Sequence, residues 1–228
     1  NTRNTQSSPN TQDALASSQS KLSYEEQKAQ ARAQKKKEKA LAEAEAEVAQ
    51  LEGAIALLEE KTGKKGMMIS AVDLLKGIAV GASMGVAEVE GANGGLHTNY
   101  EGKTQAAVKA LTEDGYDFAY IHVEAPDEMG HQGSVEKKVQ AIEFLDSRVI
   151  APLVASLKEK NVDFRLLVLP DHPTPICVRT HTADNVPYML YDSTAEQGNA
   201  WNYNEKEGRE SGNYIAKGHE IIDYLFSK

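Results

Sequence analysis

The sequence contains a single cysteine, Cys177, and no long apolar run in its 228 residues. One cysteine excludes a disulfide framework and a cysteine-based zinc site, and it fits a reducing compartment. The longest apolar runs are a few residues, far short of the roughly 20 that a membrane helix needs. No secretory signal pattern opens the chain. These absences predict a cytoplasmic protein without a membrane partner.

Positive charge is scarce as well, since 25 Lys+Arg stand against 34 Asp+Glu and the net charge is −9. An acidic surface repels phosphate backbones, so nucleic acid is not an expected ligand. Residues 1–66 hold 11 Lys+Arg, 10 Asp+Glu, one aromatic residue and no histidine, which gives a net charge of +1. Residues 67–228 hold 14 Lys+Arg, 24 Asp+Glu and all six histidines, which gives −10. The side chains that can perform chemistry therefore lie in the second part.

Composition divides the chain into three predicted segments. Residues 1–20 are polar and are predicted to be a disordered tail, residues 21–62 to be a helical or coiled-coil arm, and residues 65–228 to be a folded domain. Apolar residues recur at intervals of three and four between residues 41 and 58, which predicts a helix partner for this stretch; a solvated linker helix is the alternative. The phrase KLSY at Lys21–Tyr24, followed by this arm, resembles the C-terminal helical region of ABC-F-type ATPases.

Helix-like and strand-like blocks alternate in the predicted domain. Helical periods cover Ile69–Ile78, Lys103–Leu111, Glu136–Lys158 and Tyr214–Phe226. Strand patterns cover Val86–Val89, Asp117–Val123, Phe164–Leu169 and Tyr188–Tyr191. The nearly continuous apolar run at 164–169 is typical of a central parallel strand. This alternation predicts a three-layer α/β sandwich with a mainly parallel sheet.

Candidate metal ligands follow the two strongest predicted strands. Asp127 and His131 come after the first strand, and Asp171, His172 and His181 come after the second. Ligands gather beyond the carboxyl ends of strands in such sheets, and mixed carboxylate and imidazole ligands suit zinc, manganese or cobalt. Five ligands are more than one catalytic ion usually takes, so the pattern predicts a two-metal site, whose usual chemistry is phosphoryl displacement.

Other polar residues of the domain receive more ordinary interpretations. His122, within the predicted strand, is expected to be a hydrogen-bonded core histidine. Glu124 either orients a ligand histidine or is solvated. His97 and His219 are expected at the surface, and Cys177 in the core between two apolar neighbours.

From about residue 65 to the end, the chain resembles the archaeal-type cofactor-independent phosphoglycerate mutases of the alkaline phosphatase superfamily. The matching phrases occur in the family's order. They are ISAVDLLKGI (Ile69–Ile78), TNYEGK (Thr98–Lys103), HVEAPDEMGH (His122–His131), EKKVQAIEFLD (Glu136–Asp146), LPDHPTP (Leu169–Pro175) and RTHT (Arg179–Thr182).

The resemblance implies an alkaline phosphatase-like fold and two divalent ions, manganese first, with zinc, cobalt and magnesium left open. It implies that Asp127, His131 and His181 hold one ion, and that Asp171 and His172 contribute to the second. In such enzymes a serine carries the phosphoryl group between neighbouring hydroxyls of phosphoglycerate. The resemblance also suggests a substrate contact for the lysine of TNYEGK, Lys103.

Two departures from the family limit what the resemblance implies. The family's N-terminal aspartate ligand and its nucleophilic serine have no counterpart in the chain, so the catalytic residue is unknown. His97 stands where an aspartate is expected. We therefore expect little mutase activity from the chain alone. A related phosphotransferase, such as a homoserine kinase-like enzyme, and a non-catalytic interaction or fusion module are the alternatives.

Overall fold

The computed structural model describes Arg32, Glu60 and residues 62–195 and 201–227. The chain divides into two units, residues 1–49 and 50–228, and every described residue except Arg32 belongs to the second. The predicted tail at 1–20 and arm at 21–62, with the seam at 41–58, lie almost entirely outside the described residues. No helix in the described part is both long and apolar enough to cross a membrane.

A parallel sheet of three strands organises the described domain. Its strands are β1 (Gly66–Ile69), β2 (Gly85–Val86) and β3 (Phe118–Ile121), in the order β2-β1-β3. The central strand β1 is buried along its whole length. Together with the helices this gives the predicted α/β class with a mainly parallel sheet, which is confirmed.

The helix predicted over Ile69–Ile78 is wrong at its start. Residues 66–69 form β1, and the helix α1 begins only at Asp73 and ends at Gly81. A strand buried on both faces shows no alternation, so its short apolar run resembles a buried helix segment. The strand predicted over Val86–Val89 is limited to Gly85–Val86, because only this stretch pairs with β1.

The helix α2 (Tyr100–Thr112) confirms and extends the prediction over Lys103–Leu111. It begins where the Asn99 side chain accepts a hydrogen bond from the Gly102 N–H at 2.8 Å, the usual way of satisfying a free amide at a helix start. Ala107 and Ala110 pack in one core cluster with Met67 and Ile69 of β1. Small side chains on this face allow α2 to lie close to the sheet.

The long helix predicted over Glu136–Lys158 forms with a π-helical turn in its middle. It consists of α4 (Val135–Leu145), the π turn Asp146–Ile150 and α5 (Ala151–Glu159); the shorter α3 (Ala125–His131) precedes it. Pro152 has no N–H to donate to the carbonyl of Arg148 four residues earlier. The Thr104 hydroxyl donates to that carbonyl instead, at 3.1 Å. The proline and this substitute donor account for the turn.

The strand β4 (Arg165–Val168) forms where it was predicted, but its pairing differs. It pairs antiparallel with β5 (Met189–Asp192) in a separate two-stranded sheet, and both strands are half-buried. The prediction of a central parallel strand at 164–169 is therefore wrong for the described residues. Arg165 Nε donates to Asp192 Oδ2 at 2.7 Å across this pair, a cross-strand charge contact that favours the antiparallel register.

The C-terminal part is less helical than predicted. A 3₁₀ turn at Gly218–Glu220 leads into α7 (Ile221–Phe226), and α6 (Glu205–Glu210) precedes both. The Phe226 ring meets Phe118 of β3 edge-on, with centroids 5.5 Å apart. The strand predicted over Tyr188–Tyr191 is confirmed as β5 within one residue at each end.

Candidate metal centre

The helix α3 brings two predicted ligands together just after β3. Pro126 stands in its first turn, where a missing N–H costs nothing. Asp127 and His131 are four residues apart and share a face of the helix, so His131 Nε2 lies 3.3 Å from Asp127 Oδ2. Side chains of both residues keep about a third of their surface exposed. The pair therefore opens toward solvent.

A third predicted ligand reaches the same point from the segment after β4. His181 Nε2 lies 3.4 Å from Asp127 Oδ1 and 3.1 Å from His131 Nε2. Neighbouring ligand atoms around a tetrahedral ion with bonds of about 2.0–2.1 Å are about 3.3–3.4 Å apart. The three separations are close to this size, although each imidazole faces a different oxygen of Asp127, so the donor types and their spacing fit a divalent cation. Within the described ranges, this is the one group of three such ligands whose atoms all lie within 4.8 Å of one another.

A backbone carbonyl orients the ring of His131. His131 Nδ1 lies 3.0 Å from the carbonyl oxygen of Arg179. When Nδ1 carries the proton and donates it there, the lone pair of Nε2 is free to face a cation. Arg179 adopts a φ of 58°, in the left-handed region that non-glycine residues rarely enter. The residue with the left-handed backbone is therefore the one whose carbonyl orients the His131 ring.

Thr174 attaches the loop after β4 to α3. Its buried hydroxyl donates to Asp127 Oδ1, and its carbonyl accepts from Lys138 Nζ at 2.6 Å. Gly130 lies so close that a Cβ there would stand 2.6 Å from the Thr174 carbonyl oxygen. Thr174, Lys138 and Arg179 were not predicted as site residues, although each lies within one of the matching phrases. Their contacts are made by a hydroxyl, an ammonium group and backbone carbonyls, and none of these groups reveals its partner in the sequence.

Asp171 and His172 lie beside the three-ligand group. His172 Nε2 is 3.3 Å from Asp171 Oδ2, and His172 Nδ1 is 3.9 Å from Asp127 Oδ1. The rings of His172 and His181 have centroids 3.6 Å apart. All five predicted ligands therefore occupy one region, with two donor residues next to a set of three.

A match to a known protein family covers most of the chain. Residues 13–225 match the sequence model of a family described as the Metalloenzyme superfamily. The chain belongs to the Metalloenzyme superfamily. The match begins well before residue 65, so the predicted domain boundary there stays a prediction.

Curated relatives of this superfamily member carry a specific name. A 2,3-bisphosphoglycerate-independent phosphoglycerate mutase of Methanosarcina acetivorans is 47% identical over 168 residues, which are 73% of this chain and 42% of the relative. That of Methanosarcina mazei is 48% identical, over 72% of this chain and 41% of the relative. A probable mutase of Geobacter sulfurreducens is 43% identical over 76% of this chain and 43% of the relative. The chain thus spans about two fifths of the length of these relatives.

A solved structure supports the same fold for the superfamily domain. A protein from Pyrococcus horikoshii superimposes with a TM-score of 0.66 at 29% identity. The likeness covers 73% of this chain and 49% of the other.

The remaining histidines and the cysteine of this superfamily member agree with their predicted positions only in part. His122 lies just past β3 with its Nδ1 3.3 Å from Ser70 Oγ, and its Nε2 is 4.0 Å from Asp171 Oδ2. It is thus hydrogen-bonded as predicted, but it is half-buried and faces the candidate site rather than the core. His97 and His219 are exposed, as predicted. Cys177 is exposed too, so its predicted core position is wrong.

Glu124 and Lys103 form a buried ion pair instead of meeting solvent or substrate. Glu124 is buried, and Lys103 Nζ lies 2.8 Å from its Oε2. Burial by itself raises the pKa of Glu124, but interactions with His122 and Lys103 outweigh this and lower the pKa from 4.5 to about 2. The Lys103 side chain has no exposed surface, so the substrate contact predicted for it is not available in this structure.

Proposed function

We propose that this protein is the cation-binding portion of a 2,3-bisphosphoglycerate-independent phosphoglycerate mutase. The observation that carries the proposal is the convergence of Asp127, His131 and His181, with ligand atoms 3.1–3.4 Å apart. The names of the curated relatives support a mutase over a homoserine kinase-like enzyme or a non-catalytic module. A cytoplasmic location is part of the proposal.

In this proposal Asp127, His131 and His181 hold one divalent cation, and Asp171 and His172 contribute to a second. Manganese is the first choice, and zinc, cobalt and magnesium are the alternatives. When bound, such cations stabilise the charge on a phosphoryl group during its transfer. They also reverse the local field of an acidic domain, so an anionic substrate of the phosphoglycerate type can approach.

The chain's own residues have separate tasks at this site. The Arg179 carbonyl keeps the proton of His131 on Nδ1, and the Thr174 hydroxyl holds the Asp127 carboxylate. The side chain of His181 is half exposed, which leaves one side of the group open to a substrate phosphate. These contacts hold the ligands near one another, which lowers the free-energy cost of binding a cation.

Cation binding is tested first, on the purified 228-residue chain. We expect about one tightly bound Mn²⁺ per chain by isothermal titration, because one group has three ligands and Asp171 and His172 supply only two donors. The double substitution His131→Ala and His181→Ala should abolish tight binding. The matched control, His97→Ala and His219→Ala, removes two exposed histidines elsewhere and should leave it unchanged. Equal binding by both double variants would contradict the assignment.

Mutase chemistry is tested in a chimaera. Residues 66–227 replace the matching segment of the Methanosarcina acetivorans relative, and turnover of 3-phosphoglycerate is followed in an enolase-coupled assay. We expect turnover by the chimaera, loss of turnover on adding His131→Ala, and little or none by the 228-residue chain alone. A folded chimaera that binds Mn²⁺ but lacks turnover would refute the mutase function and leave cation binding intact.

A further inference from the structure

A buried ion pair lies at the start of the helix that carries two of the proposed ligands. Lys103 has no exposed surface and Glu124 is 8% exposed. Burying two charges carries a large desolvation cost, and replacing such a pair with apolar side chains often leaves a protein equally stable or more so. Stability alone is therefore a poor explanation for a lysine and a glutamate at this place.

The pair joins three elements of the fold at one point. Lys103 of α2 donates to Glu124 Oε2 at 2.8 Å and to the carbonyl of His122 at 2.7 Å. The other carboxylate oxygen of Glu124 accepts from the N–H of Ala71, just after β1, at 3.2 Å. The backbone between β3 and α3 is thereby tied to both α2 and the end of β1.

The direction of α3 depends on what holds its ends. The helix has only seven residues, too few to be stable without tertiary contacts. Its C-terminal half meets the loop after β4 through Gly130 and Thr174. Its N-terminal end follows directly from Glu124, and Asp127 and His131 come three and seven residues later.

We propose that Lys103 and Glu124 are positioning residues for the metal centre, which hold the N-terminal end of α3 so that Asp127 and His131 face His181. The inference rests on the cation site proposed above. A functional ligand set must be held within about 0.5 Å of its productive geometry, and a hinge at the start of α3 moves two of its three ligands together. The enclosed ammonium of Lys103 thus acts on the centre through Glu124.

The test compares cation affinity with fold stability in the full chain. Lys103→Met and Glu124→Gln each break the pair, and Arg165→Met breaks the Arg165–Asp192 pair between β4 and β5 as the matched control. Mn²⁺ dissociation constants come from isothermal titration, and unfolding is followed by circular dichroism. We expect Mn²⁺ affinity about tenfold weaker in the first two variants, at the low end of what supporting residues of metal sites cost, and within twofold of wild type in the control.

The double variant Lys103→Met/Glu124→Met separates positioning from stability, and it decides the question if a single variant fails to fold. Two apolar side chains should restore the stability lost by leaving one buried charge unpaired. If the pair positions α3, the double variant regains most of the stability lost in the single variants, although the Ala71 N–H and the His122 carbonyl lose these partners, and it still binds Mn²⁺ about tenfold more weakly. Wild-type affinity in the double variant would overturn the inference alone, whereas a wild-type chain without Mn²⁺ binding would refute the proposed function and the inference with it.

Discussion

Replacing Thr174 with valine removes the hydroxyl that holds the Asp127 carboxylate and keeps the shape of the side chain. That hydroxyl is buried and donates to Asp127 Oδ1, the same oxygen that lies 3.4 Å from His181 Nε2. The other oxygen, Oδ2, lies 3.3 Å from His131 Nε2. The hydroxyl therefore fixes a rotation in which each carboxylate oxygen faces one imidazole.

The expected loss of Mn²⁺ affinity in Thr174→Val follows from the hydrogen bond that is removed, between a hydroxyl and a charged carboxylate. A hydrogen bond to a charged group contributes about 1.5–3 kcal/mol. Part of that is recovered because the Asp127 carboxylate is about one-third exposed and can accept a hydrogen bond from water on its open side. We expect a net loss of about 1.4 kcal/mol in Mn²⁺ binding free energy, which raises the Mn²⁺ dissociation constant about tenfold. Isothermal titration of the full chain measures this, with unfolding curves to show that the variant is folded.

Thr194→Val is the matched control for this measurement. Its hydroxyl also donates to an aspartate, Asp192 Oδ1, at 2.7 Å, but on an exposed turn next to β5. The control should bind Mn²⁺ as wild type does. If Thr174→Val also binds Mn²⁺ with an affinity within twofold of wild type, the Thr174 hydroxyl does not fix the rotation of the Asp127 carboxylate for cation binding.

Three further tests, with substitutions at four positions, address other parts of the structure. Arg179→Gly keeps the left-handed backbone and should bind Mn²⁺ like wild type, whereas Arg179→Val disfavours that backbone and should weaken binding in the same titration; equal affinities would contradict this. Gly130→Ala should lower both thermal stability and Mn²⁺ affinity, because its Cβ would lie 2.6 Å from the Thr174 carbonyl oxygen. Its control is Gly77→Ala in α1, whose Cβ meets nothing within 4 Å and which should raise the free energy of unfolding by about 0.5–1 kcal/mol. The pKa of Glu124 is about 2 in the folded protein and 4.5 in the unfolded chain. The ionised Glu124 carboxylate therefore stabilises the fold fully above pH 4.5, and this stabilisation is lost as the pH falls toward 2. Glu124→Gln should therefore flatten the acid limb of the stability curve; an unchanged limb would rule out this ionisation as a cause of acid unfolding.

Local sequence patterns predicted much of the fold, and they failed where long-range pairing decides. The period of α2 and the apolar run of β3 are local signals, and both elements form as predicted. The strand β1 was missed because its pairing with β2 and β3, distant in sequence, makes it the central strand of the sheet, and helix residues pack on it, so its apolar run shows no alternation. The partner of β4 was wrong for the same reason, since an apolar run does not specify which strand pairs with it.

The position of the candidate ligands was predictable because it follows from chain geometry. Residues after the carboxyl ends of strands collect at one place in an α/β domain, and the four-residue spacing of Asp127 and His131 needs only one helical turn. The groups that orient them were not predictable. Thr174 and the Arg179 carbonyl act across 47 and 48 residues of sequence, and neither residue type indicates such a role by itself.

The two halves of the candidate centre differ in how they are built. Asp127 and His131 come from one short helix and keep their spacing through its hydrogen bonds, whereas His181 comes from a loop that must be docked onto that helix. Thr174 docks that loop, with its hydroxyl on Asp127 of α3 and its carbonyl on Lys138 of α4. A docked loop has less conformational entropy to lose when a cation binds. For this reason loss of a docking contact should weaken cation binding even though every ligand is still present.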